Sequence, residues 1–421
     1  LVFWYICKDI ILRAAIMQPF VFNVVDNCLC ITCLNTICLI KGFIMPVFIH
    51  LSDTHLGFND FDKVNDDGIN QREADVYNAF ANAVDSIIQY KPDFVIHTGD
   101  LFHRSSPSNR ALIQGLQHIK RITQAGIPFI VIAGNHCTPK TIYTSPILQA
   151  LQTIDGVYAV YKGEYECFSL DGIHLHCLPH IHEDAEFITQ IKKIEPKQGH
   201  NILLMHTSLG KDYLLDEYGE RIFPEEYFSL LKEFDYVALG HWHNFNILPR
   251  WDNVCYSGST ERFSDREAGK QKGFVTVTIG TKTNIEFNPI TIRDWVRFDI
   301  KTCSEYSVED IKKNIQELSS QVAQGAIVSV YLHDIDAHQS VAVSNMWIAQ
   351  QFPQALVVLP KRIFKQQRSD SSSYKEHISI EEVFAAYCKQ SISDEKEREA
   401  VEALGKHYFI KYREQFSDIK E

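Results

Sequence analysis

The sequence predicts a layered α/β fold, and three observations support that prediction. Short apolar segments of strand length alternate with longer segments whose apolar residues recur at helical spacing. The short segments are apolar without interruption, which is typical of parallel strands buried on both faces. Polar side chains follow these segments directly, which places them at the carboxyl edge of a sheet, where open α/β sheets bind ligands.

The first third of the chain supplies three strands and two helices in turn. Residues 46–51 and 93–97 have the composition of buried strands, and residues 73–90 between them have helical spacing. A second helix is predicted over about 108–125, because a glycine and a proline follow it as stop signals. The third strand is residues 129–132.

Further strands continue the same pattern. Residues 202–205 and 236–239 are apolar strands, each followed directly by histidine or by glycine and histidine. From about 254 to 290 the sequence becomes β-rich, with one strand over 273–279 and another after a turn. We therefore expect one large domain over residues 45–290.

Residues 291–365 are predicted to form a small second α/β domain. Strands over 295–300 and 327–332 flank a helix that begins at Ser307, a residue type that caps helix N-termini well. A further strand is expected over 355–360.

The C-terminal segment is predicted to be a linker followed by helices. Residues 366–379 include a polar, serine-rich stretch that is typical of linkers. Residues 380–387 and 394–415 have the spacing of two amphipathic helices, so residues 380–421 are expected to form a helical tail. The apolar face of such a tail packs either on a partner or within the chain, and both alternatives stay open.

The first 44 residues differ from the rest in composition. They hold five of the eleven cysteines, and Met45 stands directly before the first strand. A signal peptide is disfavoured because the segment lacks a clear basic n-region and a small-residue cleavage site. Cys30 and Cys33 form a lone CxxC, which is a weak metal signal. We expect residues 1–44 to be upstream sequence joined to a protein that starts at Met45.

Composition excludes several classes of protein. Hydrophobic residues make up 45% of the 421 residues and aromatic residues 12%, which argues against disorder. No run of about 18 uncharged apolar residues follows Met45, so a membrane protein is not expected. The net charge of −12 means that any DNA contact must come from local basic patches. The cysteines after Met45 form no CxxC, as expected in a reducing cytoplasm.

The side chains at the strand ends have the chemistry of a metal centre. They are carboxylate, amide and imidazole groups without a thiolate. This set is more suitable for binding Mn, Fe or Zn than for forming a structural zinc site. Seven ligands are too many for one ion and natural for two, with the carboxylate of Asp100 as the bridge. The seven candidates are Asp53, His55, Asp100, Asn135, His206, His241 and His243.

The order of these motifs resembles that of the calcineurin-like metallophosphoesterases. DxH, GD, GNH, a lone His and GHxH follow one another, each after an apolar strand. In finer detail, residues 51–57, 99–103 and 256–263 resemble the SbcD family of DNA-repair exonucleases. The resemblance covers about residues 46–421. It implies a layered metallophosphoesterase β-sandwich flanked by helices, a small α/β DNA-capping domain and a C-terminal helical tail.

The resemblance also implies a role for each site residue. It assigns one metal ion to Asp53, His55, Asp100 and His243. It assigns the second metal ion to Asp100, Asn135, His206 and His241. His136 would donate a proton to the leaving oxygen, and His103 would orient the phosphate. The two divalent ions are expected to be Mn.

The implied activity is that of the nuclease subunit of an SbcC–SbcD-like double-strand-break repair complex, in the cytoplasm and associated with the nucleoid. Duplex ends and hairpins are the expected DNA substrates, and a homodimer without membrane attachment is expected. The C-terminal helices would dock on the coiled coil of an SbcC-like ATPase. A metallophosphatase, a cyclic-nucleotide phosphodiesterase and a weakly active DNA-end-binding scaffold remain open. Protein phosphatases of the superfamily carry GD-x-x-D-R-G, and the GDLFHRS of this chain speaks against them.

One position departs from the family pattern. The family usually has Asp after GNH, whereas this chain has Cys137. Losing a partner that supports a metal ligand typically costs ~10–100-fold in affinity or activity. Metal binding is therefore still expected, with turnover in question. Cys137 is either a soft extra ligand, a redox-sensitive thiol or a small buried filler, and we favour the filler.

Other polar residues are candidates for a DNA-binding surface or a second metal site. A local basic cluster could track phosphates in an otherwise acidic chain, with an ordinary solvated face as the alternative. The cluster comprises Arg262, Arg266, Lys270 and Lys272. A structural role is expected for the histidines outside the metal motifs, among them His50, His97, His118, His174, His176, His180 and His182.

Overall fold

The computed structural model describes residues 45–139, 143–215 and 220–364 and, beyond them, residues 384, 388–389, 392 and 394–417. The chain divides into two compact units, Leu1–Ile363 and Phe364–Glu421. The expectations for residues 1–44 and for the linker 366–379 lie outside the described residues.

The strands of the first unit form a sandwich of two sheets. In chain order the described strands of the sandwich are β1 (Val47–Leu51), β2 (Phe94–His97), β3 (Phe129–Ile132), β4 (Val157–Val160), β5 (Glu166–Leu170), β6 (Ile173–Leu178), β7 (His200–His206), β8 (Tyr236–Gly240), β9 (Asn246–Ile247), β10 (Val254–Tyr256), β11 (Gly273–Thr278) and β12 (Asn284–Pro289). These described strands make two six-stranded sheets, ordered β12-β11-β1-β2-β3-β4 and β5-β6-β7-β8-β10-β9. Strands β1 to β4 pair in parallel, as do β6, β7, β8 and β10.

The two sheets face each other across one apolar core. Phe48, Phe94 and Ile130 of the first sheet share this core with Ile202 and Tyr236 of the second. The rings of Phe48 and Phe94 stack with centroids 4.8 Å apart. Burial of such side chains on both inner faces is the main force that holds the layers together. The predicted layered α/β sandwich is confirmed.

Helices cover the outer faces of the sheets. α1 (Gln71–Tyr90) and α2 (Asn109–Gln124) pack on the first sheet, and α3 (Asp184–Ile191) packs on the second. The Asn70 side chain caps α1, and the Ser108 hydroxyl caps α2 by accepting the N–H of the third helical residue. These caps satisfy backbone donors that a helix leaves unpaired at its start.

A smaller sheet follows in the same unit. Strands β13 (Trp295–Ile300), β14 (Ile327–Ile335) and β15 (Val357–Phe364) lie in that order, and β13 is parallel to β14. α4 (Val308–Ser319) connects the parallel pair and begins with a capping box at the predicted residue, Ser307. α5 (Ala337–Ala342) and α6 (Asn345–Gln350) follow β14.

A buried ionic network ties α1 to the segment that leads into this smaller sheet. Asp75 accepts hydrogen bonds from Nε and Nη2 of Arg293 at 2.6 and 2.7 Å and from Arg72 at 2.8 Å. Arg72 also lies 3.6 Å from the carboxylate of Glu261. Arg293 donates in turn to the carbonyl of Gly325, just before β14, at 2.6 Å.

The second unit contributes one described helix, α7 (Glu395–Ser417). It matches the helix predicted over 394–415, whereas most of the helix predicted over 380–387 lies outside the described residues. Within the part of the chain that the structure describes, no helix is long and apolar enough to cross a membrane.

Candidate metal centre

The carboxyl ends of β1, β2, β3, β7 and β8 meet at one edge of the sandwich. Backbone hydrogen bonds join the segments that follow β1 and β2. The N–H of Asp53 donates to the carbonyl of Gly99 at 3.1 Å, and that of His55 donates to the carbonyl of Asp100 at 2.9 Å. The predicted ligands all lie at this edge, each at most 9% exposed.

Four of these residues have strained backbones. Asp53, His55 and Asp100 have φ values of 50°, 51° and 52°, and His241 has a φ of 95°. Residues with a Cβ adopt positive φ at a cost of about 1–3 kcal/mol each, and such strain clusters at functional sites. The strained residues follow β1, β2 and β8, three of the five strands that end at the site.

Glycines next to the site allow a close approach of its strands. Gly99 has a φ of 103°, and a Cβ there would lie 2.3 Å from Nδ1 of His206. A Cβ on Gly134 would lie 2.3 Å from Oδ1 of Asp100. The sequence predicts tight turns at these glycines and at Gly240, but only Gly99 of the three has a positive φ. The other two are needed because the neighbouring groups leave no room for a side chain.

The first group of potential ligands comprises Asp53, His55 and His243, whose donor atoms all lie within 4.8 Å of one another. Nε2 of His55 faces Nε2 of His243 at 3.3 Å. Nδ1 of His243 lies 3.3 Å from Glu267 and donates its proton there, which leaves the lone pair on Nε2. Two imidazole nitrogens that face each other in this way need a cation or a proton between them.

The second group comprises Asp53, Asp100 and His206, again within 4.8 Å. Nδ1–H of His206 donates to the carbonyl of Thr98 at 2.7 Å, so Nε2 is the nitrogen left to bind a metal ion. That Nε2 lies 3.2 Å from Oδ2 of Asp100 and 3.0 Å from Oδ1 of Asn135.

The electrostatics of this buried edge favour cations. Burial alone would raise the pKa of Asp100, but His206 and His136 hold it well below its usual range. Burial lowers the pKa of His206, yet the adjacent Asp100 raises it to about 9. Burial also holds the pKa of His55 well below its usual value, which favours the neutral, ligating imidazole.

The donor set fits two divalent metal ions. Carboxylates, imidazoles and an amide oxygen without a thiolate suit Mn or a similar ion. Asp53 is the carboxylate shared by both groups, whereas the family resemblance gives the bridging role to Asp100. The bridge through Asp100 therefore stays a prediction. The N–H of His241 donates to both oxygens of Asp53, at 3.1 and 3.0 Å, but the imidazole of His241 belongs to neither group.

His103 and His136 lie beside the first group. Their donor atoms and that of His55 lie within 4.8 Å of one another, and the two rings stack at 5.1 Å. The N–H of His136 donates to Oδ1 of Asp100 at 2.9 Å, and its Nδ1–H donates to the carbonyl of His103 at 3.0 Å. Nδ1 of His136 is thus engaged by the backbone, and the role of this histidine as a proton donor stays a prediction.

A cavity of about 370 Å³ opens directly on these histidines. Its lining includes His55, His103, His136 and His243. The lining also includes apolar and aromatic side chains and one cation: Phe58, Leu214, Leu215, Trp242, Phe263 and Arg266. The aromatic part of the lining, here called the aromatic wall, comprises Phe58, Trp242 and Phe263, and the ring of Phe263 packs edge to face on His55 at 4.8 Å.

The sequence profile of the calcineurin-like phosphoesterase family matches residues 46–245. The chain carries a calcineurin-like phosphoesterase domain. The resemblance seen in the strand-end motifs is thereby confirmed.

Three curated relatives extend this similarity, each named "DNA double-strand break repair protein Mre11". The chain is 34% identical over 201 residues to the protein from Sulfurisphaera tokodaii (47% of this chain, 49% of that protein). It is 36% identical over 230 residues to that from Saccharolobus solfataricus (53% and 56%). It is 26% identical over 373 residues to that from Methanococcus maripaludis (82% and 91%). The chain spans about half the length of the first two relatives.

Within the phosphoesterase domain, Cys137 is a buried filler, as favoured from the sequence. Its side chain is 1% exposed. Its Sγ lies 3.3 Å from both the N–H and the carbonyl of Phe102, accepting from the first and donating to the second. Burial raises the pKa of this thiol above its ordinary value, so it is not poised as a thiolate ligand.

The structure corrects the predicted basic DNA-contact cluster. Lys272 is 1% exposed and forms an ion pair with Glu267. Arg262 is 7% exposed, and its guanidinium donates to the backbone carbonyls of Lys270 and Arg293. These two cations therefore support the fold from inside. The prediction was wrong for them because spacing along the chain does not reveal burial.

The two other members of the cluster are placed differently. Arg266 and Lys270 are exposed, and Arg266 lines the cavity. They stay candidates for phosphate contacts.

Histidines outside the site have hydrogen-bond partners in the fold, as expected for structural residues. His50 lies between the hydroxyls of Tyr236 and Thr98, at 2.8 and 2.9 Å. His97 lies 2.8 Å from the Thr54 hydroxyl.

Sequence reasoning missed the groups that orient the ligands. Glu267 and Lys272 support His243, and the Thr98 carbonyl orients His206. Burial would raise the pKa of Glu267, but Lys272 and His243 lower it to about 2, so it is anionic. The local sequence around Glu267 carries no motif that distinguishes it from a surface carboxylate.

We expect Glu267→Gln to weaken metal binding about 10–100-fold, because an anionic partner strengthens and orients the histidine ligand. The variant also leaves the buried Lys272 without its counter-ion, so a lower unfolding temperature is expected. Isothermal titration with Mn²⁺ measures the first effect and thermal unfolding the second. Glu286→Gln, at an exposed position on β12, is the matched control. Equal Mn²⁺ affinity in both variants would contradict the assignment.

Proposed function

We propose that this chain is a two-metal, Mn-dependent DNA phosphodiesterase that acts in double-strand-break repair. The observation that carries the proposal is the cavity, in which His55 and His243 of the first ligand group and the histidines His103 and His136 share one lining with aromatic side chains. The names of the curated relatives support DNA as the substrate.

The proposed ligands are those that the family resemblance assigns. One ion would be held by Asp53, His55, Asp100 and His243. The other would be held by Asp100, Asn135, His206 and His241. Such a pair of metal ions supplies an activated water and neutralises charge on the phosphate oxygens.

His136 is proposed as the general acid. Its ring lines the cavity, and its Nδ1–H is fixed on the carbonyl of His103. The Nε2 side can therefore deliver a proton to the departing sugar oxygen. Imidazole suits this task because its pKa lies near neutral pH.

The aromatic wall is proposed to hold the base next to the scissile phosphate. Phe58 and Phe263 pack edge to face at 4.9 Å, and Trp242 also lines the cavity. Bases of every type stack on aromatic rings, at about 1–3 kcal/mol per base. Arg266 beside this wall would contact a phosphate.

Cleavage of linear duplex and hairpin DNA by the purified chain, with Mn²⁺ and with Mg²⁺, tests the proposal. Mn²⁺-dependent cleavage at two bound ions per chain is the expected result. Hydrolysis of bis(p-nitrophenyl) phosphate without any DNA cleavage would replace the proposal by a small-substrate phosphodiesterase. Two bound ions without hydrolysis of either substrate would leave a DNA-binding scaffold.

We expect His136→Ala to lower the cleavage rate about 10²–10⁴-fold, because it removes proton transfer to the leaving group. Mn²⁺ stoichiometry should stay at two, since His136 is not among the proposed ligands. Single-turnover rates on a radiolabelled duplex, with metal content of the same sample, measure both. His338→Ala, exposed on α5, is the control. A rate within two- to threefold of the control would contradict the role of His136 as general acid.

The chain is further proposed to work within a larger assembly. An SbcC-like ATPase would bind the C-terminal helices, and α7 exposes Leu404 and Tyr408, four residues apart on the helix. A homodimer would use α1 and α2, where Ile113 is half exposed. The proposed domains are residues 45–290, 291–365 and 380–421, with 366–379 as linker.

A further inference from the structure

A carboxylate outside every predicted motif lies against one of the proposed metal ligands. Oε1 of Glu220 contacts Nε2 of His241, and the two side chains are 8% and 2% exposed. Two such groups are not buried together unless they share a proton or a cation. The contact therefore determines which nitrogen of the His241 imidazole is left to bind a metal ion.

The chain around Glu220 holds this carboxylate in place. The same Oε1 accepts the N–H of Leu215 at 2.7 Å and the hydroxyl of Ser208 at 3.2 Å. The N–H of Ser208 donates to the carbonyl of Arg221 at 2.8 Å, and the N–H of Phe223 donates back to the carbonyl of Ser208 at 2.9 Å. Ser208 lies two residues after His206, so the position of Glu220 is tied to the end of β7.

Two other histidines of the site have a comparable arrangement, with Nδ1 as the outer nitrogen. His206 donates Nδ1–H to the Thr98 carbonyl, and His243 donates Nδ1–H to Glu267. In each case the outer nitrogen is bonded to an acceptor and the inner nitrogen faces the ligand group. Metal-binding histidines in general have such an acceptor, which fixes the tautomer and raises the basicity of the ligating nitrogen.

We propose that Glu220 is the positioning residue of His241: it accepts the Nε2–H of that imidazole and so reserves Nδ1 for the second metal ion. The inference rests on the proposed metal centre. It assigns one supporting carboxylate to each ion, Glu267 on the side of His243 and Glu220 on the side of His241. Each ion then gains a fixed negative charge outside its ligand shell.

Three variants of the full chain separate this role from simple packing. Glu220→Gln keeps an acceptor oxygen but loses the charge, Glu220→Leu loses both, and Glu225→Leu is the control at an exposed position nearby. Mn²⁺ titration should show the affinity of one of the two sites falling a few-fold in Glu220→Gln and about 10–100-fold in Glu220→Leu, with the other site unchanged. Circular dichroism confirms that each variant is folded.

A spectroscopic measurement tests the tautomer directly. In the Co²⁺-loaded protein, the N–H on the outer nitrogen of each bound histidine gives a hyperfine-shifted, exchangeable proton resonance. Glu220→Leu should speed the solvent exchange of one such resonance, or remove it, and leave the others unchanged. Glu220→Gln should restore the resonance while the affinity stays reduced.

The outcomes distinguish this inference from the proposed function. Unchanged affinities at both sites and an unchanged set of resonances in Glu220→Leu would overturn the role of Glu220, whatever the DNA cleavage. Two bound ions that respond to Glu220 as expected, without DNA cleavage, would uphold the inference and overturn the substrate. Only one bound ion in the unaltered chain would overturn the second site and the role of Glu220 together.

Discussion

Asp100→Asn is expected to lower DNA cleavage by a factor on the order of 10³ or more. Asp100 is buried, its Oδ1 accepts the N–H of His136 at 2.9 Å, and its Oδ2 lies 3.2 Å from His206. An amide keeps the shape of the side chain but removes the negative charge that attracts two cations to one edge. Cleavage rates with Mn²⁺ and metal content after gel filtration measure the effect, with a fall from two ions per chain expected.

A matched control lies at the other end of the same strand. Asp93 precedes β2, is exposed, and accepts the N–H of Val47 at 2.8 Å. Asp93→Asn keeps an acceptor oxygen there and changes the net charge as Asp100→Asn does. It should therefore leave the rate and the two bound ions unchanged. Two ions bound with ordinary affinity by Asp100→Asn would show that Asp53, which both ligand groups share, is the bridge instead.

The sequence predicts the strands of the core well because burial gives them a strong signal. Strands such as 129–132 and 236–239 are apolar throughout, since they lie between two layers, and the structure has them at Phe129–Ile132 and Tyr236–Gly240. β5 (Glu166–Leu170) was not predicted. It is an edge strand with exposed and half-buried residues, so its composition resembles that of a loop.

The predicted ligands come together for a topological reason. Parallel neighbouring strands end on the same edge, so side chains that follow β1, β2 and β3 must be close in space however far apart they are in sequence. Motif order therefore carries three-dimensional information about Asp53, Asp100 and Asn135. No comparable rule exists for residues that enter the site from loops.

Glu220, Glu267 and Lys272 show where that reasoning stops. Each lies outside the strands and α-helices, and each has an ordinary charged neighbourhood in the sequence. Lys272 was predicted to be a surface cation because nearby basic residues suggested a patch, yet it is buried against Glu267. The partner of a charged residue is a property of the folded chain, so composition alone cannot tell a support from a surface group.

Asp75→Ala is expected to lower the free energy of unfolding by about 3–5 kcal/mol, because it leaves buried arginines without a counter-charge. Arg72 is 1% exposed, and Arg293 binds both oxygens of Asp75. Removing one partner of a buried network costs more than the network contributes as a whole, since the remaining charges stay desolvated. Equilibrium unfolding in guanidinium chloride measures the change.

Asp85→Ala is the control on the same helix. Its carboxylate is 61% exposed and pairs with the half-exposed Arg121, so the expected loss is at most about 1 kcal/mol.

Acid unfolding gives a second test. Burial would raise the pKa of Asp75, but Arg293 and Arg72 hold it below its ordinary value. A carboxylate whose pKa is lower in the folded than in the unfolded chain stabilises the fold at pH values above its unfolded pKa of about 3.9. This stabilisation is lost as the pH falls through the pKa of the folded state. The stability difference between Asp75→Ala and the unaltered chain should therefore narrow below about pH 4. A constant difference down to pH 2 would show that Asp75 acts through packing and not through its charge.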